Sequence, residues 1–362
     1  MRLVLREGGG LQEQAVPWGA WNRYAPGETM SEQSKDPPDE PSTEPSVETH
    51  DVTTWEPRSP IDRASVSLYE TLAARWRVPV VLLAALVLLG QFFVAFGLFA
   101  TDPFLAVLSA VSVIPALLLV WYIRRQDTDP EPVGTLAVTF VLGGLLASFA
   151  ALINTATGTV FRSIPVVGSV LLFFLVVGPG EELVKWLAIR LYAFERPEFD
   201  AVIDGAMYGA AAGLGFATIE NVIYIGQNAL VAIRNGGPVL AATIPTTVAR
   251  SLAGPGHVLY SAFAGYYLGL AKFNEEHYGP LVVKGLLVAA LLHASYNSLT
   301  TLLPRLLPMS GVATFGFILL WDGLLAVVLI RKLRQYRTVA TERSEDETGT
   351  GTGASQTTSA DD

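Results

Sequence analysis

From residue 78 onward the chain alternates long apolar stretches with short polar joints. Eight stretches reach the ~20 residues that a helix needs to cross the hydrocarbon core of a bilayer. They run approximately over 79–100, 104–123, 133–153, 165–193, 202–226, 246–271, 280–303 and 312–330. The pattern predicts an all-α, polytopic transmembrane bundle of about eight spans. On either side the pattern stops. Residues 30–62 are rich in Pro, Glu, Asp, Ser and Thr, and the end reads TGTGTGASQTTSADD. Such composition cannot bury enough apolar surface to fold. The expected organisation is an acidic tail over 1–63, a helical domain over 64–337 and a second acidic tail over 338–362. Met30 opens a segment that reads like a natural start.

Composition supports the membrane reading. Of 362 residues, 51% are hydrophobic and only 16% charged, a combination rare in soluble domains. The formal charge of -9 is a property of the tails. Residues 1–63 hold 12 acids against 6 bases and residues 341–362 hold 6 against 1, which leaves the core at +2. Nucleic acid is therefore not an expected partner; the lipid bilayer is. There are no cysteines, so any metal must be held by His and carboxylate.

Basic residues give the orientation. Arg75, Arg77, Arg124, Arg125, Arg190, Arg196, Lys272, Arg331, Lys332, Arg334 and Arg337 fall on one side of the expected spans. Arg162, Arg234 and Arg305 fall on the other. Both termini are expected in the cytoplasm of a protein integral to the cell membrane.

Two spans carry Gly-Pro-Gly, at 178–180 and 254–256. Proline and flanking glycine break or kink helices, and irregular backbone at membrane depth survives only against protein or a wet cavity. A helix N-terminus is expected at Glu181-Glu182, beside a water-accessible pocket. Gly205, Gly209, Gly213 and Gly215 give the fifth span a small-residue face for close packing.

The candidate chemistry lies in four successive spans. Glu181, Glu182 and Lys185 stand in the fourth, Glu220 and Asn221 in the fifth, Arg250, His257 and Ser261 in the sixth, and His293 and Asn297 in the seventh. A charge at mid-bilayer depth costs ~3 kcal/mol on insertion scales, so these residues are candidates for function rather than decoration. Glu181 and Lys185, at i and i+4, share a helix face and can partly neutralise each other. Asn297, one turn after His293, can orient its ring. Zinc hydrolases use about three His or carboxylate ligands and a further Glu as base. His257 and His293 with a Glu, Glu220 being the candidate, would make such a ligand set. Glu181, Glu182 or Glu220 would remain to accept a proton from water. Arg250, Asn221 or Asn297 would stabilise the oxyanion or hold an extended peptide. Asp204 and Asp322 are accessory candidates. The same residue types also make proton relays in transporters. Both Gly-Pro-Gly breaks, however, lie in spans of the same direction, unlike an inverted repeat, and spans one to three are read as lacking a polar counterpart.

The elements Glu181-Glu182-x-x-Lys185, Phe216-x-x-x-Glu220-Asn221, His257-x-x-x-Ser261 and His293-x-x-x-Asn297 resemble the PrsW family of intramembrane proteases. They resemble more distantly the CPBP family that includes CAAX prenyl proteases. The resemblance covers about 175–300. Glu220 stands where the CPBP pattern has His, and Asn297 where PrsW-like proteins can carry an acid. The resemblance implies a polytopic metalloprotease, with a divalent metal such as Zn2+, that cuts a membrane-tethered protein of the anti-sigma-factor kind. The CPBP likeness implies a rival, metal-free chemistry in which Glu and His activate water. By analogy with related sites, Glu181 is favoured over Glu182 as the base.

Overall fold

The computed structural model describes residues 77–125, 130–165, 167–307 and 310–353, together with the isolated positions Pro60, Arg63, Ala64 and Ser67. The expected start at Met30, and the expected tail apart from Pro60 and Arg63, lie outside the described residues.

Among the described residues every element is helical. In chain order these are α1 (Arg77–Thr101), α2 (Phe104–Arg124), α3 (Val133–Arg162), α4 (Gly168–Leu172), a π-wound turn (Phe173–Val177) and α5 (Gly178–Leu191). Then follow α6 (Val202–Arg234), α7 (Val239–Lys272), α8 (Tyr278–Leu306) and α9 (Gly311–Gly353). The last helix therefore continues past the boundary expected at 338. Six helices are long and apolar enough to cross a membrane, namely Val78–Ala100, Phe104–Arg124, Val133–Phe161, Val202–Arg234, Glu275–Leu306 and Gly311–Thr338. The two expected spans outside that set, 165–193 and 246–271, are helical as well. The first is divided by its π turn, and the second carries Arg250, His257 and Pro255.

The Gly-Pro-Gly segments take a different form from the breaks their composition suggests. Over Phe173–Val177 the winding widens, and Gly178 N–H donates to Phe173 O, five residues back. Regular α-helix resumes at Gly178, with Pro179 in the first turn, where its missing N–H costs nothing. A Cβ on Gly178 would stand 2.7 Å from Ala290 O, so this turn presses directly on α8. Pro245 and Pro255 both lie inside an unbroken α7.

The bundle is centred on α6. Of its apolar window 89% is buried, against 6% for the first span. Lipid tails give helices little hydrophobic reason to associate, so close backbone approach has to do the work. The seam between α6 and α7 is built that way. A Cβ on Gly205 would meet Gly265 O at 2.2 Å, one on Gly209 Ser261 O at 2.2 Å, and one on Gly213 His257 O at 2.4 Å. The pairings step one turn up α6 and one turn down α7, so the helices run antiparallel and the seam delivers His257 to a fixed place. On another face of α6, Gly215 abuts Phe140 O of α3 at 1.9 Å by the same measure. At one end of the bundle Lys272 Nζ donates to Phe194 O and Phe199 O at 2.8 and 2.6 Å, tying the α5–α6 connection to α7. Nearby Tyr208 donates to the Glu131 carboxylate.

Candidate active site

α5, α6, α7 and α8 bring their polar residues to one buried cluster. Glu181, Glu182, Lys185, His257 and His293 are all buried. Lys185 Nζ donates to Glu182 Oε1 at 2.6 Å and to His257 Nδ1 at 3.1 Å. Its distance to Glu181 Oε2 is 4.0 Å, so the partner it neutralises closely is Glu182 rather than the i,i+4 Glu181. His293 Nδ1 lies 2.8 Å from Glu182 Oε1, and His257 Nε2 lies 2.9 Å from Glu220 Oε2.

These contacts fix the ring tautomers. An ammonium only donates, so His257 Nδ1 accepts from Lys185, and the ring proton sits on Nε2 and goes to Glu220. The ionised Glu182 only accepts, so His293 donates from Nδ1 and leaves a lone pair on Nε2. That lone pair and the Lys185-bound Nδ1 of His257 both face one oxygen. Glu181 Oε2 lies 3.6 Å from His293 Nε2 and 4.0 Å from His257 Nδ1. It is buried and has no hydrogen-bond partner.

The donor atoms of Glu181, His257 and His293 all lie within 4.8 Å of one another. This is a donor set for a divalent metal once His257 Nδ1 exchanges the Lys185 ammonium for the ion: two imidazoles and a carboxylate, each imidazole held through its other nitrogen by a second carboxylate. Metal-binding histidines are commonly oriented so. The third member of the close trio is Glu181. Glu220, expected as a candidate ligand, instead takes the Nε2 side of His257 and pairs with Arg250 Nη2 at 2.5 Å.

Arg250 Nε also donates to Asn221 Oδ1 at 2.8 Å, and Asn221 Nδ2 donates to Ser112 Oγ of α2 at 2.9 Å. Arg250 and Glu220 keep 13% and 14% of their side chains exposed, so this edge of the cluster is the accessible one. Aromatic rings close the rest. Phe216 lies under both His257 and the Lys185 ammonium, and Tyr260 stacks on His293 at 5.2 Å while accepting from Trp321 Nε1 at 3.2 Å.

Ser261 Oγ reaches Glu182 Oε2 only at 3.5 Å. Among the described residues no hydrogen bond joins the Asn297 side chain to His293, whose Nδ1 goes to Glu182. Asp204 caps α6, accepting from the N–H groups of Asp200 and Ala201. Asp322 lies in α9 with Oδ1 buried and unpaired.

Spans one to three, read as lacking a polar counterpart, do contribute polar side chains. Asn154 of α3 donates to Glu181 Oε1 at 2.8 Å, Ser112 of α2 holds Asn221, and Ser148 donates to Gln91 of α1 at 2.9 Å. Uncharged amides and hydroxyls barely disturb an apolar stretch, and Asn154 falls one residue beyond the expected end of its span. An amide so near a long apolar run was the available signal.

Residues 131–328, which hold Asn154 and the whole cluster except Ser112, match the model of the PrsW family intramembrane metalloproteases. Protease PrsW of Halalkalibacterium halodurans is 28% identical over 229 residues, covering 62% of this chain and 98% of the relative. Protease PrsW of Bacillus subtilis is 30% identical over 244 residues, or 65% of this chain and 97% of the relative. Protease PrsW of Oceanobacillus iheyensis is 31% identical over 193 residues, 53% and 82% respectively. No solved structure matches the chain.

Proposed function

Because the chain belongs to the PrsW family of intramembrane metalloproteases, we propose that Glu181, His257 and His293 form the centre at which it hydrolyses a membrane-tethered protein. One observation carries this reading. Glu181 Oε2 is a buried carboxylate oxygen with no hydrogen-bond partner, and it faces the free lone pair of His293 Nε2 and the Lys185-bound Nδ1 of His257. Two unpaired acceptors beside that imidazole are a place for a water, or for a cation that takes over His257 Nδ1 from the Lys185 ammonium.

Glu182 holds His293 and Glu220 holds His257, so neither ring can turn its lone pair away. Without a bound metal, Glu181 Oε2 receives the proton of a water held among the three groups. Arg250, at the accessible edge and braced by the buried Asn221, binds the carbonyl or backbone of the extended substrate. Charged donors preset toward developing negative charge are worth most where water is excluded. A divalent metal, zinc being the choice for a His/His/Glu donor set, would be held by Glu181, His257 and His293. When bound it supplies Lewis acidity for the carbonyl and brings the pKa of its water toward ~7. The substrate is a single-span protein of the anti-sigma-factor kind. The eleven flanking basic residues on one side against three on the other support cytoplasmic termini in the cell membrane.

A second reading has its own observation. Lys185 Nζ, 3.1 Å from His257 Nδ1, is a built-in cation beside the same donors, so Glu181 and the histidines can hold the water without a metal. Glu181→Gln, His257→Ala and His293→Ala are to be assayed on a candidate single-span substrate. All three should lose cleavage, and full activity in the two histidine variants would sink the site. Metal content of the purified protein, and activity after chelation and metal return, then separate the two chemistries.

A further inference from the structure

We infer that Asn154 is a positioning residue of this centre: its amide, by donating to Glu181 Oε1, decides which carboxylate oxygen faces the histidines. The inference rests on the hydrolytic reading of Glu181 and adds a helix to the site, since α3 carries none of the other residues assigned to it. The terminal torsion of a glutamate is broad and close to two-fold, so an untethered carboxylate turns and presents either oxygen. Lys185, 4.0 Å from Oε2, is too far to hold it by a hydrogen bond. The bond from Asn154 Nδ2 at 2.8 Å is the one hydrogen bond of the Glu181 carboxylate among the described residues.

Three features of Asn154 favour this role over packing. The residues before it, Ala150, Ala151, Leu152 and Ile153, are apolar, and Thr155 and Thr157 after it turn their hydroxyls back to Ala151 O and Ile153 O of the same helix, so the Asn154 amide is the group of this stretch that reaches Glu181. The carboxylate oxygen it leaves unbonded is the one aimed at His293 and His257. And both Oε1 and Oε2 cannot be tied up if Glu181 is to act: α3 takes the one and α7 and α8 face the other.

The test uses full-length protein in detergent micelles and a single-span reporter that the wild-type protein cleaves, with Asn154→Ala, Asn154→Leu, Glu181→Gln and the double variant Asn154→Ala/Glu181→Gln. Loss of a residue that orients a ligand typically costs 10–100-fold. Asn154→Ala is expected to lower kcat by about that factor with KM unchanged. Asn154→Leu keeps a branched side chain of similar size but cannot donate, so it should fall about as far. The double variant should be no worse than Glu181→Gln alone, because the two residues act as one unit. Zinc affinity, read by competition with a chelating dye, should fall in both Asn154 variants while the thermal midpoint holds. If Asn154→Leu keeps full activity where Asn154→Ala loses it, side-chain volume is what matters and the inference fails. Full activity in both Asn154 variants beside an inactive Glu181→Gln overturns the inference alone. Full activity in Glu181→Gln overturns the hydrolytic reading and this inference with it.

Discussion

Lys185 Nζ and Glu182 Oε1 stand 2.6 Å apart, and neither side chain has any exposed surface. Lys185→Met leaves the Glu182 charge buried without its cation. Breaking one side of such a pair costs about 3–5 kcal/mol. The variant should unfold at lower temperature or denaturant concentration in micelles, and the double variant Glu182→Gln/Lys185→Met should recover part of that loss. Equal stability of Lys185→Met and wild type would mean that the pair is not formed.

Glu220 accepts from His257 Nε2 at 2.9 Å and from Arg250 at 2.5 Å. In Glu220→Gln the amide oxygen can still take the His257 proton, whereas Glu220→Ala frees the ring and strands Arg250. Cleavage should therefore fall in the order Glu220→Gln, then Glu220→Ala, the latter by about 10–100-fold. Steady-state kcat on a reporter measures it, and identical losses would remove Glu220 from the positioning of His257.

The two glycines of the first Gly-Pro-Gly segment are expected to behave oppositely. A Cβ on Gly178 would lie 2.7 Å from Ala290 O, a backbone atom that cannot swing aside, while one on Gly180 meets nothing within 4 Å. Gly178→Ala should cost about 1–3 kcal/mol or more. Gly180→Ala should keep fold and activity, even gaining roughly 0.5–1 kcal/mol from the lost chain freedom of glycine. Thermal melts and a cleavage assay on both variants decide it.

At the α6–α7 seam, Gly209→Ala would place a methyl 2.2 Å from Ser261 O. The helices must separate, and His257 moves with them. We expect both the thermal midpoint and the activity to drop, whereas Gly97→Ala in α1, with nothing within 4 Å, should change neither. An unaltered Gly209→Ala variant would show that the helices do not touch there.

The helices and the polar cluster were legible in the sequence for the same reason. In a chain of apolar stretches, Glu181, Glu182, Lys185, Glu220, Arg250, His257 and His293 stand out by cost alone. Their pairings were not legible. Glu220 and Arg250 lie 30 positions apart, and His293 meets Glu182 across 111. Spacing along one helix pointed to Asn297 for the His293 ring and to Glu181 for Lys185, yet a partner on another helix or one residue along won in each case. Asn154 escaped because an amide adds no charge to a hydropathy pattern. The composition of Gly178-Pro179-Gly180 signalled a break, but the widened turn just upstream of it absorbs the disturbance without opening the backbone.

That widened turn has a further effect on the acids behind it. An α-helix advances about 100° per residue, and a π turn packs one more residue into each revolution. The five apolar residues Phe173–Val177 thus retard everything downstream by roughly a quarter of a revolution. Straightened into ordinary α-winding, the same sequence would swing Glu181 and Glu182 off the bundle axis. The heading of the carboxylates is set by side chains that bear no polar atom at all, as the bearing of a hand on a dial is set at its hub.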